Sequence, residues 1–269
     1  MPKLSRVALE NLERDARVQG KRWNETYGGY FGDPIHIRSF VRATRRVLDG
    51  LPDKPRILYA GSGPGLLGEA VCEYLRSKGK TPELVLVDVS GEHLAANPNP
   101  ATLKVKQDLL HLELPGPKFD LALMRSTLDY FPNEDEQRRV LSNVASHLAD
   151  GGVLLHQPVQ LPDAPTRDLM DAVYASTRQI GRRHFHVPAD LERLHREAGF
   201  SHVRRLGFAA PLRLAEQEHV QRYGISTMEI RAIHDLIGSG THHGYLKSNA
   251  IGYKLKFDFP ILAARKTKK

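Results

Sequence analysis

A glycine-rich turn is the feature of this chain that most directly indicates chemistry. Three glycines alternate with other residues in the segment 61–65, directly after the short apolar segment 56–60. Apolar residues then recur at helical spacing over residues 66–75, so the pattern predicts a strand, a tight turn and a helix. Glycine tolerates positive φ and lets a ligand approach the backbone closely, and backbone N–H groups at a helix N-terminus attract anionic groups. The turn therefore predicts a nucleotide-type pocket. Its expected binding residues are Gly61, Ser62, Gly63 and Gly65.

A carboxylate follows the next apolar segment of the chain. Residues 83–87 end at Asp88, which lies 27 residues after Gly61 (88 − 61). This spacing is close to the roughly 20 residues that separate a glycine turn from a ribose-binding acid. A carboxylate accepts hydrogen bonds from vicinal hydroxyls, and charged acceptors form the stronger bonds. Asp88 is therefore predicted to bind a ribose, and the alternative is an ordinary turn cap.

The glycine turn fits two motifs. Residues 63–68 match G-x-G-x-x-G, the fingerprint of dinucleotide-binding proteins. Counted from the end of the strand, however, the turn begins at Gly61 and reads G-x-G-x-G, with Leu66 where a dehydrogenase has its third glycine. The G-x-G-x-G turn after a strand resembles motif I of the class I S-adenosylmethionine (SAM) methyltransferases. An NAD-dependent oxidoreductase stays open as an alternative.

The resemblance implies SAM as the cofactor and adds residues to its predicted site. It extends to residues 119–132, where a strand followed by a polar cluster resembles motif IV of the same family. In that family the acid after the third strand contacts the adenine amino group, and Asp108 stands at that position. The further cofactor-binding residues that the resemblance implies are Val89, Asp108, Leu109, Arg125 and Ser126.

Candidate catalytic groups are histidines and one acid. Methyl transfer from a sulfonium is an in-line displacement, and orientation alone supplies roughly 7–11 kcal/mol. A general base contributes about 10²–10⁴-fold, and histidine suits that role because its unperturbed pKa is about 6.5. The predicted catalytic residues are His186, His156 and Asp129. Two histidine pairs, His184 with His186 and His242 with His243, could hold a metal, but no cysteine cluster or H-E-x-x-H segment accompanies them, so no metal is expected.

Aromatic residues and glycines are concentrated in the segment 23–32. In the methyltransferases that the chain resembles, N-terminal helices close over cofactor and substrate. These aromatic residues are therefore predicted to contact substrate, with simple core packing as an equally weighted alternative. The complete set of predicted substrate-binding residues is Trp23, Tyr27, Tyr30, Tyr130, His184 and His243.

Apolar strands and helical patterns alternate through residue 157, which predicts an α/β fold with a parallel sheet and helices on both faces. The last strand alternates cleanly between apolar and polar residues, and a bulge is expected there because Pro260 removes a hydrogen bond. The resemblance implies a doubly wound, mostly parallel seven-stranded sheet with an antiparallel last strand. We expect residues 1–50 to form a helical lid, residues 51–269 the SAM-binding domain, and residues 212–251 a cap insertion.

Composition narrows the class of protein. The chain has 269 residues, 41% of them hydrophobic, with a net charge of +8 and one cysteine. Neither a disulfide framework within the chain nor an apolar leader or membrane span is indicated, so a cytoplasmic protein is expected. We expect methylation of an O or N atom of a small molecule. The positive charge keeps an RNA or protein methyltransferase as an alternative, and a cofactor-binding protein without catalysis is another.

Overall fold

The strands form one mixed sheet, described here from a computed structural model that covers residues 28–267 apart from residues 179, 239, 240 and 243. The strands are β1 (Arg56–Ala60), β2 (Glu83–Asp88), β3 (Leu103–Lys106), β4 (Phe119–Arg125), β5 (Leu148–Gln157), β6 (Phe200–Ala215), β7 (Thr241–His242), β8 (Leu246–Asn249) and β9 (Gly252–Lys266). The helices are α1 (Gly28–Phe31), α2 (Pro34–Asp49), α3 (Leu66–Ser77), α4 (Gly91–Ala95), α5 (Glu134–His147), α6 (Ala164–Ala175), α7 (Pro188–Glu197), α8 (Glu216–Tyr223) and α9 (Thr227–Ile237), and short 3₁₀ turns span Leu109–His111 and Leu128–Tyr130.

The order of the strands confirms the predicted fold. The sheet runs β3-β2-β1-β4-β5-β9-β8-β7, and β6 pairs with β9. The first five strands in that order are parallel, whereas β9 is antiparallel to β5 and to β6. The sheet has two strands more than predicted, because residues of the insertion form the short pair β7 and β8 beside β9.

Both faces of the central sheet are covered. In β1, Ile57 and Tyr59 belong to the core that packs under α2 and α3. Leu58 and Ala60 belong to the core on the opposite face, which includes residues of α5 and α7. This alternation follows from the period of two in a strand. Because both faces are buried, the inner parallel strands β1, β2 and β4 have nearly continuous apolar sequences.

The strands β6 and β9 form a long antiparallel ribbon that is irregular near Pro260. Pro260 pairs with Phe208, and the register shifts on each side of this pair, between Arg205 and Gly207 and between Ala209 and Leu212. The expected irregularity is therefore present, but the extra residues belong to β6 and not to β9. Such bulges bend a strand and interrupt pairing along its outer edge.

The insertion grows out of this ribbon. Strand β6 continues to Ala215, past the predicted start of the insertion, and α8 follows without a break. Helix α9 begins with a capping box in which the Ser226 hydroxyl accepts from the Glu229 N–H and the Glu229 carboxylate accepts from the Ser226 N–H. The proposed division into lid, domain and cap remains a prediction. Within the described residues, we find no helix with the length and apolarity needed to cross a membrane.

Candidate functional site

The glycine turn connects β1 to α3 at the carboxyl edge of the parallel strands. Gly61 has φ of +65°, and a Cβ at this position would lie 2.3 Å from the Thr127 side chain. Gly65 has φ of +80°, and its Cβ would lie 2.5 Å from Leu86. Only glycine combines these backbone angles with such close neighbours. The turn is therefore constrained both by its conformation and by the packing of the strands around it.

Asp88 ends β2 and faces this turn. Its Oδ2 atom accepts a hydrogen bond of 2.7 Å from the Gly63 N–H, and its Oδ1 atom accepts one of 2.9 Å from the Ser90 N–H. Each carboxylate oxygen can accept more than one hydrogen bond. The carboxylate therefore fixes the turn and retains capacity for hydroxyl donors of a ligand.

Asp108 follows β3 and caps the 3₁₀ turn that begins at Leu109. Its Oδ1 atom accepts a hydrogen bond of 2.9 Å from the Leu110 N–H. Its Oδ2 atom is buried and has no hydrogen-bond partner among the described residues. Burial raises the pKa of Asp108, and the Leu110 N–H opposes that rise. A buried acceptor without a donor is costly, so this oxygen suits a ligand N–H group.

Arg125 and Ser126 end β4. The Nη2 atom of Arg125 donates a hydrogen bond of 2.5 Å to the Phe31 carbonyl, and its guanidinium carbon lies 5.0 Å from the centre of the Phe31 ring. Ser126 has φ of 47°, and its N–H donates to the Gln157 carbonyl at 2.8 Å. Left-handed backbone at a residue other than glycine is strained and is frequent in ligand sites.

These residues surround a cavity of about 110 Å³ that is partly open to solvent. All predicted cofactor residues line it except Gly65, which shapes the turn instead. The lining consists of Phe31, Tyr59, Gly61, Ser62, Gly63, Pro64, Leu66, Asp88, Val89, Ser90, His93, Gln107, Asp108, Leu109, Arg125, Ser126, Thr127, Tyr130 and Phe131.

Among the predicted substrate residues, Tyr130 lines the cavity. The Arg183 guanidinium lies 3.8 Å from the centre of the Tyr130 ring. Arg183 also donates a hydrogen bond of 2.7 Å to Asp129 Oδ2, and both side chains are buried. Burial raises the pKa of Asp129, and Arg183 opposes that rise. Asp129 is thus the partner of a buried cation and lies outside the cavity lining.

The two predicted catalytic histidines lie in the core and not in the cavity lining. His156 Nδ1 is 3.0 Å from His195 Nε2, and His195 Nδ1 is 2.6 Å from the Leu191 carbonyl. Because His195 Nδ1–H must donate to that carbonyl, its Nε2 atom accepts from His156. His186 Nε2 lies 2.7 Å from Gln137 Oε1. Burial lowers the pKa of His156 far below its usual value and that of His186 to about 3.

The other predicted substrate residues are separated from the cavity lining or undescribed. Tyr30 donates to the Ala210 carbonyl and stacks on His36 at 4.3 Å, so it ties α1 to β6. His184 Nδ1 lies 3.1 Å from Asp171 Oδ2. The predicted residues Trp23, Tyr27 and His243 lie outside the described part of the chain.

Several lining residues were missed from the sequence. Tyr59 stands two positions before Gly61, and a strand places such alternate residues on one face, which is a signal that could have identified it. Thr127 packs under Gly61, a contact between distant parts of the chain that no local pattern reveals. Phe31 is held at the cavity by a hydrogen bond from Arg125 to its carbonyl. This contact also joins distant parts of the chain, so the sequence alone does not reveal it.

The fold and the site define a class I SAM-dependent methyltransferase. Residues 35–204 match the family model described as a methyltransferase domain. Because that match covers more than half of the chain, the chain belongs to this family. No curated protein sequence matches it significantly. The glycine turn that also fitted a dinucleotide fingerprint is therefore a methyltransferase turn.

Solved structures share the fold at low sequence identity. The YcgJ protein from Bacillus subtilis has 13% identity and a TM-score of 0.69, with 85% of this chain and 99% of that chain covered. A putative methyltransferase from Bacillus halodurans C-125 has 16% identity and a TM-score of 0.68, with 85% and 99% covered. The N-methyltransferase NodS from Bradyrhizobium japonicum WM9, in complex with S-adenosylhomocysteine, has 14% identity and a TM-score of 0.54, with 97% and 98% covered.

The residues present fit S-adenosylmethionine, the cofactor of this class. The unpartnered Oδ2 atom of Asp108 suits the adenine amino group, and Asp88 suits the ribose hydroxyls. Gly61 and Gly63 both line the cavity, and at Gly63 no other atom would lie within 4 Å of an added Cβ, so the backbone of the turn is accessible there. The protein groups at the nucleoside end are hydrogen-bond acceptors, and they match the amino and hydroxyl donors of adenosine.

Proposed function

We propose that this methyltransferase transfers the methyl group of SAM to an O or N atom of a small molecule. The observation that carries the proposal is the aromatic wall beside the cofactor residues, formed by Phe31, Tyr130 and Phe131. Concave sites lined by aromatic groups with a few polar groups are typical of small-molecule binding. The substrate contacts assigned to Tyr130 are part of this proposal.

SAM supplies an activated methyl group on its sulfonium. The protein's task is then to fix the cofactor and to hold the acceptor in line with it, because orientation supplies most of the acceleration. In this proposal Asp88 and Asp108 hold the nucleoside end. Tyr130, fixed by the Arg183 guanidinium on its ring, forms part of the surface against which the acceptor lies. The aromatic wall excludes water from the reacting atoms.

Proton removal by His156 or His186 is not part of the proposal. Both side chains are fully buried and engaged with other side chains, so neither reaches the cavity in this conformation. Asp129 is likewise engaged by Arg183. We propose that a reactive acceptor loses its proton to solvent or to a group on the cavity surface, and that alignment is the main contribution of the protein.

The proposal is tested by following the methyl group. The protein is incubated with methyl-tritiated SAM and a cell extract separated by ultrafiltration into small molecules and macromolecules. We expect a labelled small-molecule product that chromatography separates from SAM, and much less of that product with the Asp88→Ala variant. Glu92→Gln, which changes an exposed acid on nearby α4, serves as the matched control and keeps the activity. Label confined to protein or RNA contradicts a small-molecule acceptor.

One observation favours a macromolecular acceptor as a second candidate. Helix α2 carries four exposed arginines at positions that share one side of the helix, namely Arg38, Arg42, Arg45 and Arg46. Such a stripe supplies cations for nucleic-acid phosphates. If RNA is the acceptor, its affinity falls steeply between 50 and about 200 mM salt, and replacing two of these arginines by glutamine reduces that slope.

A further inference from the structure

Arg125 is a buried cation in the wall of the cavity. Its side chain is at the end of β4, and the residue is only 8% exposed. Its guanidinium donates to the Phe31 carbonyl and lies near the Tyr59 hydroxyl, where it opposes the rise in the pKa of that phenol. An arginine side chain has five N–H donors in a fixed fork. The two described partners therefore leave donors available toward the cavity.

Both described partners of this guanidinium are uncharged. Burial raises the pKa of Tyr59, with Arg125 opposing the rise, so the phenol is neutral at physiological pH. No ion pair joins Arg125 to a carboxylate within the described part of the chain. The other buried arginine near the cavity, Arg183, has such a pair with Asp129. Buried charges in proteins are normally paired, so the environment of Arg125 is incomplete without an anionic group.

The acidic side chains and Arg125 lie at opposite ends of the cavity. Asp108 follows β3, Asp88 ends β2, the glycine turn follows β1, and Arg125 ends β4. These four strands are neighbours in that order. With about 4.8 Å between neighbouring strands, the acid after β3 and the cation on β4 are separated by roughly 14 Å across the sheet edge. The cavity therefore offers hydrogen-bond acceptors at one end and a cation at the other.

We propose that Arg125 binds the α-carboxylate of the methionyl part of SAM. The proposal rests on the assignment of SAM as cofactor and is independent of the identity of the methyl acceptor. A nucleoside held by Asp108 and Asp88 directs its amino-acid end toward β4, where the guanidinium lies. Arginine is the side chain best matched to a carboxylate, because its fork forms two parallel hydrogen bonds.

The same guanidinium also holds Phe31 through its carbonyl and its ring. Arg125 therefore connects the methionyl end of the cofactor to α1, the first element that the structure describes. A carboxylate bound to the fork restricts the side chain that positions Phe31, and Phe31 in turn lines the cavity. Arg125 therefore contributes both to binding of the cofactor and to the position of Phe31 in the aromatic wall.

The test compares two ligands that differ only in the carboxylate, namely SAM and decarboxylated SAM. Their affinities are measured by calorimetry, without any methyl acceptor, for the full chain and for Arg125→Gln, Arg125→Lys and the control Arg204→Gln. Arg204 is an exposed cation on β6, so its variant matches the change in net charge. For the unmodified chain we expect SAM to bind about 10- to 100-fold more tightly than its decarboxylated form.

In Arg125→Gln we expect that preference to disappear through weaker binding of SAM alone. Arg125→Lys keeps a charge without the fork and should retain part of the preference, and Arg204→Gln should retain all of it. Unchanged affinity for decarboxylated SAM shows that the variant's cavity is intact. Equal losses for both ligands, or no loss for SAM, overturn the proposal. Because no acceptor is present, either result is separate from failure of the proposed small-molecule activity.

Discussion

Replacing Asp108 by serine should stabilise the ligand-free protein and weaken its binding of S-adenosylhomocysteine. The Asp108 Oδ1 atom caps the 3₁₀ turn by accepting from the Leu110 N–H at 2.9 Å, whereas its buried Oδ2 atom has no partner among the described residues. Serine is also a good capping residue, so Asp108→Ser retains the cap and removes the unpartnered oxygen.

The expected size of each effect follows from these contacts. A buried polar atom without a partner costs about 1–3 kcal/mol, so removing it should stabilise the protein by a similar amount. Part of this stabilisation is lost because a serine cap is uncharged. A net gain of about 1 kcal/mol raises Tm by roughly 2–4 °C in a protein of this size. Loss of the charged acceptor for the adenine amino group costs about 1.5–3 kcal/mol of binding, which lowers affinity about 10- to 100-fold.

Thermal unfolding with and without S-adenosylhomocysteine measures both effects, and calorimetry gives the affinity directly. The matched control is Asp33→Ser, because Asp33 caps α2 in the same way by accepting from the Ile35 N–H at 2.7 Å but lies outside the cavity lining. This control should change neither quantity by more than a small amount. If Asp108→Ser lowers the Tm of the ligand-free protein, or leaves the affinity unchanged, the role given to the second oxygen is wrong.

Three further predictions concern charge. Asp88→Ala should weaken S-adenosylhomocysteine binding at least about tenfold, measured by calorimetry; unchanged affinity refutes the ribose assignment. Burial lowers the pKa of His156 and lowers that of His195 to about 4, so the unfolded chain binds more protons below about pH 6.5. Stability in urea should therefore fall by up to about 1.4 kcal/mol per pH unit for each histidine as pH drops toward 4; a flat profile between pH 7 and 5 contradicts this. Arg183→Met, which leaves Asp129 buried without its ion-pair partner, should destabilise the protein by about 3–5 kcal/mol, and adding Asp129→Asn should recover part of that loss.

The cofactor side of the site was predictable from sequence because it is local. The role of Asp108 came from the resemblance to the family, since this residue follows the more exposed strand β3. Gly61 directly follows the buried strand β1 and Asp88 ends the buried strand β2, and parallel strands bring their carboxyl ends to one edge. A pattern of strand ends therefore locates these residues without knowledge of the packing. The same reasoning identified the fold, whose strands and helices alternate in sequence through β5.

The acceptor side was not predictable in the same way. His156 also lies near the carboxyl end of a strand. Because this strand, β5, is buried on both faces over its second half, the sequence of β5 does not reveal which of its side chains reach the cavity. His186 lies in a loop whose backbone pairs with Leu161, and that contact buries it. Tyr130 and Asp129 are adjacent, yet packing of Arg183 directs one toward the cavity and keeps the other inside.

Strand β9 has a mechanical consequence. Its second half is a member of the central sheet beside β5, and its first half is paired with β8 of the insertion. The base of the insertion is thus continuous with the scaffold through one rigid strand and cannot swing as a separate body without breaking main-chain hydrogen bonds. Any movement of this region relative to the sheet must therefore come from its helices α8 and α9 and not from the hairpin of β8 and β9.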